Sequence, residues 1–302
     1  MTPDTDMVAL EGGSVTLRDR RLKITRTVEL EPFEISRFAV TQEMMAELLA
    51  VPSAHPRRPA VGVSWQRAIR FCNALSEWEG LDPAYSYDGE DITWHVDSDG
   101  YRLPTEAEWE FACRAGSTKA QYGSVPDIAW SRADHISHPQ NVGGKMPNLF
   151  GLFDMLGNTW EWCWDLLDPT RGGERVFRGG GYGDSANIDA SVRRGDRPRT
   201  THDDVGFRVA RGAFDGLAAQ GWSAKADAIS AISDVPHGWV RIRGGVATRP
   251  WGRLRRGRRA TADRRSRRGG SDSPGAPAAF AGSAEGLVES KTASVERPGL
   301  EG

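Results

Sequence analysis

The stretch GLFDMLGNTWEWCWD, residues 151–165, sets Trp160, Trp162 and Trp164 at every second position after a Gly-Asn turn, with Asp154, Glu161, Cys163 and Asp165 interleaved. Trp is large and needs packing partners, so three at this spacing mark a rigid, buried centrepiece and not an ordinary loop. Upstream, LPTEAEWEFACRAG carries the clearest local signal in the chain. Thr105 as N-cap with Glu108 three residues later forms a capping box, Glu106 suits the positive helix start and Arg114 the negative end, and Gly116 stops the helix. Trp109, Ala112 and Cys113 then face inward.

Two further helices are expected on the same grounds. Ser64 caps one in which Trp65, Ala68, Ile69, Cys72 and Leu75 recur at helical spacing up to Gly80. Thr41 opens another, with Met44, Met45, Leu48 and Leu49 on one side. Before them, RTVELEPFEISRFAVT alternates apolar residues on either side of Pro32, as two short half-buried strands do. Beyond Gly116 runs a long Gly/Pro/Asn-rich course with little periodicity, ending in a strand signal at GFRVAR. A few helices among many short strands indicate the α+β class.

Composition divides the chain. Residues 1–212 hold 24 Lys/Arg against 32 Asp/Glu, a formal charge of about −8, which argues against a nucleic-acid footprint for the globular part. From Ala213 the balance reverses, with 15 Lys/Arg against 9 Asp/Glu. The run RPWGRLRRGRRATADRRSRRGG leads into a Ser/Pro/Ala/Gly stretch that cannot bury enough apolar surface to offset chain entropy. The expected organisation is one domain over 1–212, a linker over 213–244 whose order composition leaves open, and a disordered tail over 245–302. That Arg run is either a solvated tail or a contact for nucleic acid or an acidic partner. No segment is apolar enough to span a membrane, and MTPDTDMVALEGG has neither the basic start nor the apolar run of a secretion signal, so a cytoplasmic location is expected. Cys72, Cys113 and Cys163, an odd count in apolar contexts, fit reduced core thiols.

At YRLPTEAEWEFACRAG, NLFGLFDMLGNTWEWCWD, RVFRGGGY and GFRVAR, in this order, the chain resembles the formylglycine-generating enzyme family, also called sulfatase-modifying-factor domains. The resemblance runs from MVALEGG to about Gly212. It implies a single compact, irregular domain of C-type-lectin-like fold with a ligand cleft on its surface. It further implies a calcium ion at the Gly-Asn turn, held by the carbonyls of Gly157 and Thr159 and the carboxylate of Glu161; the alternative is a Glu161 merely hydrogen-bonded in the core. Trp160, Trp162 and Trp164 are expected to alternate between the core and an outer layer.

Oxidase members of that family hold copper(I) through two cysteines five residues apart, just after the Gly-rich motif. An ungapped reading from Gly179 puts Asp184 and Asp189 at those positions. Carboxylates are poor ligands for so soft a cation, so copper is not expected here, and formylglycine oxidation becomes the least favoured activity. Asp184, Asp189 and Arg193 are then cleft candidates, as turn caps, as ligand-recognising groups, or as oxygen ligands of a harder metal. No catalytic residue is assigned. The family offers, in order, a non-oxidase module or accessory protein that binds a peptide, protein or small molecule, an oxidoreductase of altered metal chemistry, and a true oxidase acting on Cys-x-Pro-x-Arg motifs. His135 and His138 in DHISH lack a third ligand, RGGGYGD lacks the Gly-Lys-Ser/Thr of a phosphate loop, and no Ser-His-Asp set stands out.

Overall fold

A computed structural model of the chain describes residues 5–19, 23–89, 91–185 and 188–212. The linker and tail expected beyond residue 212 lie outside the described residues. In chain order the elements are β1 (Met7–Leu10), β2 (Gly13–Asp19), β3 (Ile24–Leu30), β4 (Phe33–Ser36), α1 (Gln42–Leu49), α2 (Trp65–Glu79), β5 (Tyr85–Asp88), β6 (Asp91–Trp94), α3 (Glu106–Arg114), the one-turn α4 (Val125–Ile128), β7 (Trp160–Leu166), β8 (Arg175–Arg178), β9 (Arg193–Asp196), β10 (Val205–Gly206) and β11 (Ala210–Arg211). This is the expected α+β mixture, and the strands on either side of Pro32 are β3 and β4.

The helix caps form as the local sequence dictates. Thr41, Ser64 and Thr105 each accept a backbone N–H from the first turn, and Thr105 and Glu108 complete the capping box. Gly80 closes α2 in the left-handed region at φ 72°, whereas α3 turns left-handed one residue earlier than expected, at Ala115 with φ 44°. Trp65, Ala68, Ile69, Cys72 and Leu75 are buried on α2, and Trp109, Ala112 and Cys113 on α3.

The centre of the domain is a four-stranded sheet in the order β10-β7-β8-β9, lying within the course that shows no periodicity in sequence. All seven residues of β7 are buried, so the strand has two covered faces, and the polar residues that alternate with its tryptophans are interior as well. One face carries Glu161, Cys163 and Asp165 toward α3. There the Trp109 indole donates to Glu161 over 2.7 Å, and the Asp165 carboxylate accepts the Glu106 N–H over 2.7 Å. The other face carries all three tryptophans. Trp160 and Trp162 meet Phe177 edge-on at 5.3 and 5.0 Å, and Trp164 lies 5.3 Å from Trp65 and 5.2 Å from Tyr85. The expected division of these tryptophans between core and outer layer is therefore corrected: residues at i, i+2 and i+4 of a strand share one face, and here that face is interior.

The expected strand at GFRVAR is also broken in two. Val205–Gly206 pairs in parallel with Trp160–Glu161, while Ala210–Arg211 joins the separate sheet β1-β4-β11, opposite Ile35–Glu34. Phe207, Arg208 and Val209 cross between the sheets, and all three are buried. Two hairpins, β2-β3 and β5-β6, complete the strands.

Candidate functional site

The turn expected to hold calcium is built around Gly157, whose φ of 74° is left-handed and where an added Cβ would lie 2.4 Å from the Trp130 carbonyl, so only glycine fits. Its carbonyl already accepts the Thr159 N–H over 2.7 Å. The Thr159 hydroxyl donates to the carbonyls of Asp204 and Trp160. Glu161 is fully buried, and its Oε2 accepts from Arg208 Nε at 2.6 Å and Trp109 Nε1 at 2.7 Å, while Oε1 accepts from Arg208 Nη2 at 2.8 Å. The contacts of Glu161 are those of the alternative expected for it, a carboxylate hydrogen-bonded in the core. The Arg208 guanidinium supplies the counter-charge to that carboxylate.

Asp184 and Asp189 are held in local structure. Asp184 accepts the Trp160 indole N–H at 2.8 Å and the Gly181 N–H at 3.0 Å, closing the turn after the glycine run. Asp189 accepts the Ser191 N–H and hydroxyl at 2.7 and 2.8 Å, an Asx-type turn. Among the described residues no group of three or more His, Cys, Asp or Glu is placed to hold a metal. Arg193 joins a buried network: it donates to both oxygens of Glu106 at 2.6 and 2.7 Å and to Asp19 at 2.7 Å. Arg178 closes the network on Glu106, Glu110 and the Ala190 carbonyl. Burial opposes the charge on Glu106, but Arg193 and Arg178 more than offset that and hold its carboxyl below the usual range. Glu106 thus does more than face the helix dipole, because it ties α3 to the edge of the central sheet.

The three cysteines are free and fully buried, and burial pushes each thiol well up from its ordinary value. None is a thiolate ligand in waiting. His135 and His138 are both exposed.

Of the sequence candidates, Arg193 lines the surface that stands open beside Asp184, while its other lining residues were not singled out in sequence. The outer face of β8 and β9 forms a groove of about 650 Å³ whose lining includes Phe177, Arg194, Asp196, His202, Glu174 and Leu167. Arg194 lies over the Trp160 ring at 4.9 Å and 3.7 Å from Asp184, and so links the groove to the Gly181–Asp184 turn. His202 Nε2 and Asp196 Oδ2 are 3.0 Å apart. Burial works against the Asp196 charge, yet the Arg197 N–H, the Thr200 hydroxyl and His202 hold its carboxyl below the ordinary range. Asp204, close by, is pushed up by burial and by the like charges of Asp203 and Asp184. The one signal that could have found this face is the cluster Arg193, Arg194, Arg197 and Arg199 within a domain of net negative charge.

A family model described as the sulfatase-modifying factor enzyme 1-like domain matches residues 1–213. The chaperone protein LppX of Paenibacillus barcinonensis is 30% identical over 229 residues, covering 62% of this chain and 81% of LppX. The formylglycine-generating enzyme of Streptomyces coelicolor is 28% identical over 253 residues, covering 62% of this chain and 80% of that enzyme. Among solved structures, Treponema denticola variable protein 1 superposes with a TM-score of 0.63 at 28% identity, covering 68% of this chain and 94% of its own. Matching over most of the described residues in both sequence and fold, the chain belongs to the family of sulfatase-modifying factor enzyme 1-like domains.

Proposed function

We propose that this chain is a non-oxidase member of its family, a ligand-, peptide- or protein-binding module or accessory protein that uses the open face beside Asp184. The observation that carries this reading is the chemistry at the two copper positions. In the ungapped reading from Gly179, Asp184 and Asp189 take those positions as hard oxygen donors; each is engaged in its own turn, and the chain's three thiols are buried elsewhere. Neither soft ligation nor a paired thiolate site can be assembled from these groups. One relative is named for formylglycine generation and another as a chaperone, so the family accommodates both kinds of role.

The test is a competition titration of copper(I) against a chromogenic chelator, run beside mass spectrometry of a Cys-x-Pro-x-Arg peptide incubated with the protein, copper and oxygen. The expected result is no copper(I) retained against the chelator and an unmodified peptide cysteine. Conversion of that cysteine to formylglycine would overturn the reading.

A further inference from the structure

A second pocket, of about 800 Å³ and so within the size range of small-molecule sites, is formed by the start of α2, by β6 and by the turn after β9. Its lining includes Trp65, Ile92, Arg175, Arg197, Pro198 and Arg199, with Asp91 as its only acidic side chain. Residues 1–212 carry a formal charge of about −8, so three arginines against one aspartate run counter to the rest of the domain.

The positive groups are mounted rigidly. Arg175 is only 3% exposed; its guanidinium stacks 4.0 Å from the Trp65 ring centre and 4.8 Å from that of Trp164, and donates to the Trp164 carbonyl at 2.5 Å. Burial pushes Arg175 down to about 9, the fields of Asp165 and Tyr85 opposing only part of that effect, so further negative charge nearby would be stabilising. Arg197 and Arg199 flank Pro198 on a turn pinned at both ends. Asp196 accepts from the Arg197 N–H and the Thr200 hydroxyl at 2.6 and 3.1 Å, and the Pro198 carbonyl accepts the Gln66 N–H at 3.1 Å. The first two residues of the 15-residue helix α2, Trp65 and Gln66, line the same space. A neighbouring pocket of about 400 Å³ shares Gln66 and adds Arg67 and Arg70.

We propose that this pocket binds a small anion with a flat apolar body, an aromatic carboxylate or its like, with the charge at Arg197 and Arg199 above Arg175 and the ring against Ile92 and Pro198. Planar guanidinium groups suit a carboxylate, and the fixed turn limits the ordering needed on binding. The inference names a ligand class for a pocket distinct from the copper positions, so its failure and that of the non-oxidase reading are separable: the copper titration does not depend on Arg197 or Arg199.

The experiment is calorimetric titration of the full chain with 2-naphthoate at about 50 mM salt, where screening is weak, with neutral 2-naphthalenemethanol as the uncharged counterpart. Saturable binding at one site per chain is expected, weaker by about tenfold or more for the alcohol and for the double variant Arg197→Ala/Arg199→Ala. Both side chains are exposed and the turn keeps its Asp196 cap, so the double variant should retain the parent's circular dichroism. Arg132→Ala, which removes an exposed arginine elsewhere, should bind as the parent does. No saturable binding by the parent, equal binding of acid and alcohol, or equal affinity in a natively folded double variant overturns the proposal.

Discussion

Replacing Glu161 with Gln tests whether the Gly-Asn turn is organised by an ion pair or by a metal. Glu161 and Arg208 are both fully buried, and Glu161 receives three charge-assisted bonds, two from Arg208 and one from Trp109. Burial works against the Arg208 charge, which Glu161 and Asp154 more than compensate. In the Gln variant the guanidinium stays buried without its main counter-charge, and an amide N–H faces it. Breaking one partner of such a pair costs about 3–5 kcal/mol. For a domain of this size that is about 6–20 °C in the midpoint of thermal unfolding. Arg208→Met in the same background removes the stranded charge, so the double variant should lose less than the two single changes together, with coupling of about 1–3 kcal/mol. Circular dichroism melts of the four proteins, each with chelator and with excess calcium, give every quantity needed. The parent should melt at the same temperature in both conditions. A midpoint raised by calcium in the parent but not in Glu161→Gln, or a Gln variant within about 2 °C of the parent, would refute the ion-pair account.

Two other outcomes follow from buried groups. Asp154 is raised from 3.8 to about 6 by burial, with the Gly143 N–H its only hydrogen-bond donor and its Oδ1 bonded to nothing among the described residues. Because the folded state binds this proton more tightly than the unfolded one, the contribution of Asp154 declines as pH rises from about 4 to about 6 and its full cost persists above that. Asp154→Asn should therefore stabilise the domain at neutral pH by up to about 3 kcal/mol and flatten its stability profile across that window, as denaturant unfolding at several pH values would show; an unchanged profile would sink this reasoning. Cys72, Cys113 and Cys163 have no exposed surface, so a thiol reagent should react with none of them in the native protein and with all three after denaturation. Rapid labelling of any one without unfolding would contradict their placement.

Local sequence was enough to place the helices. Thr41, Ser64 and the Thr105/Glu108 box act within one turn of the chain, so neighbours in sequence are the partners that matter. The ordered motifs carried the family in the same way, and the β3/β4 alternation survived because each strand has one covered face. The central sheet was not legible. β7 alternates Trp with Glu, Cys and Asp, but it pairs with β10 some 45 residues downstream, and nothing local names that partner or shows that both faces are covered. Charged residues were typed correctly as charged, but their neighbours in space were not legible. Arg193, a ligand candidate in sequence, donates to Glu106 and Asp19; Glu161, a metal ligand by resemblance, accepts from Arg208; and the exposed arginines Arg194, Arg197 and Arg199 were passed over. Sequence determines which side chains are charged, apolar or able to cap a turn. Which charge meets which is decided only when the fold brings residues 87 or 174 positions apart to within hydrogen-bonding distance, because in a buried interior each ion must settle on the nearest counter-charge in space.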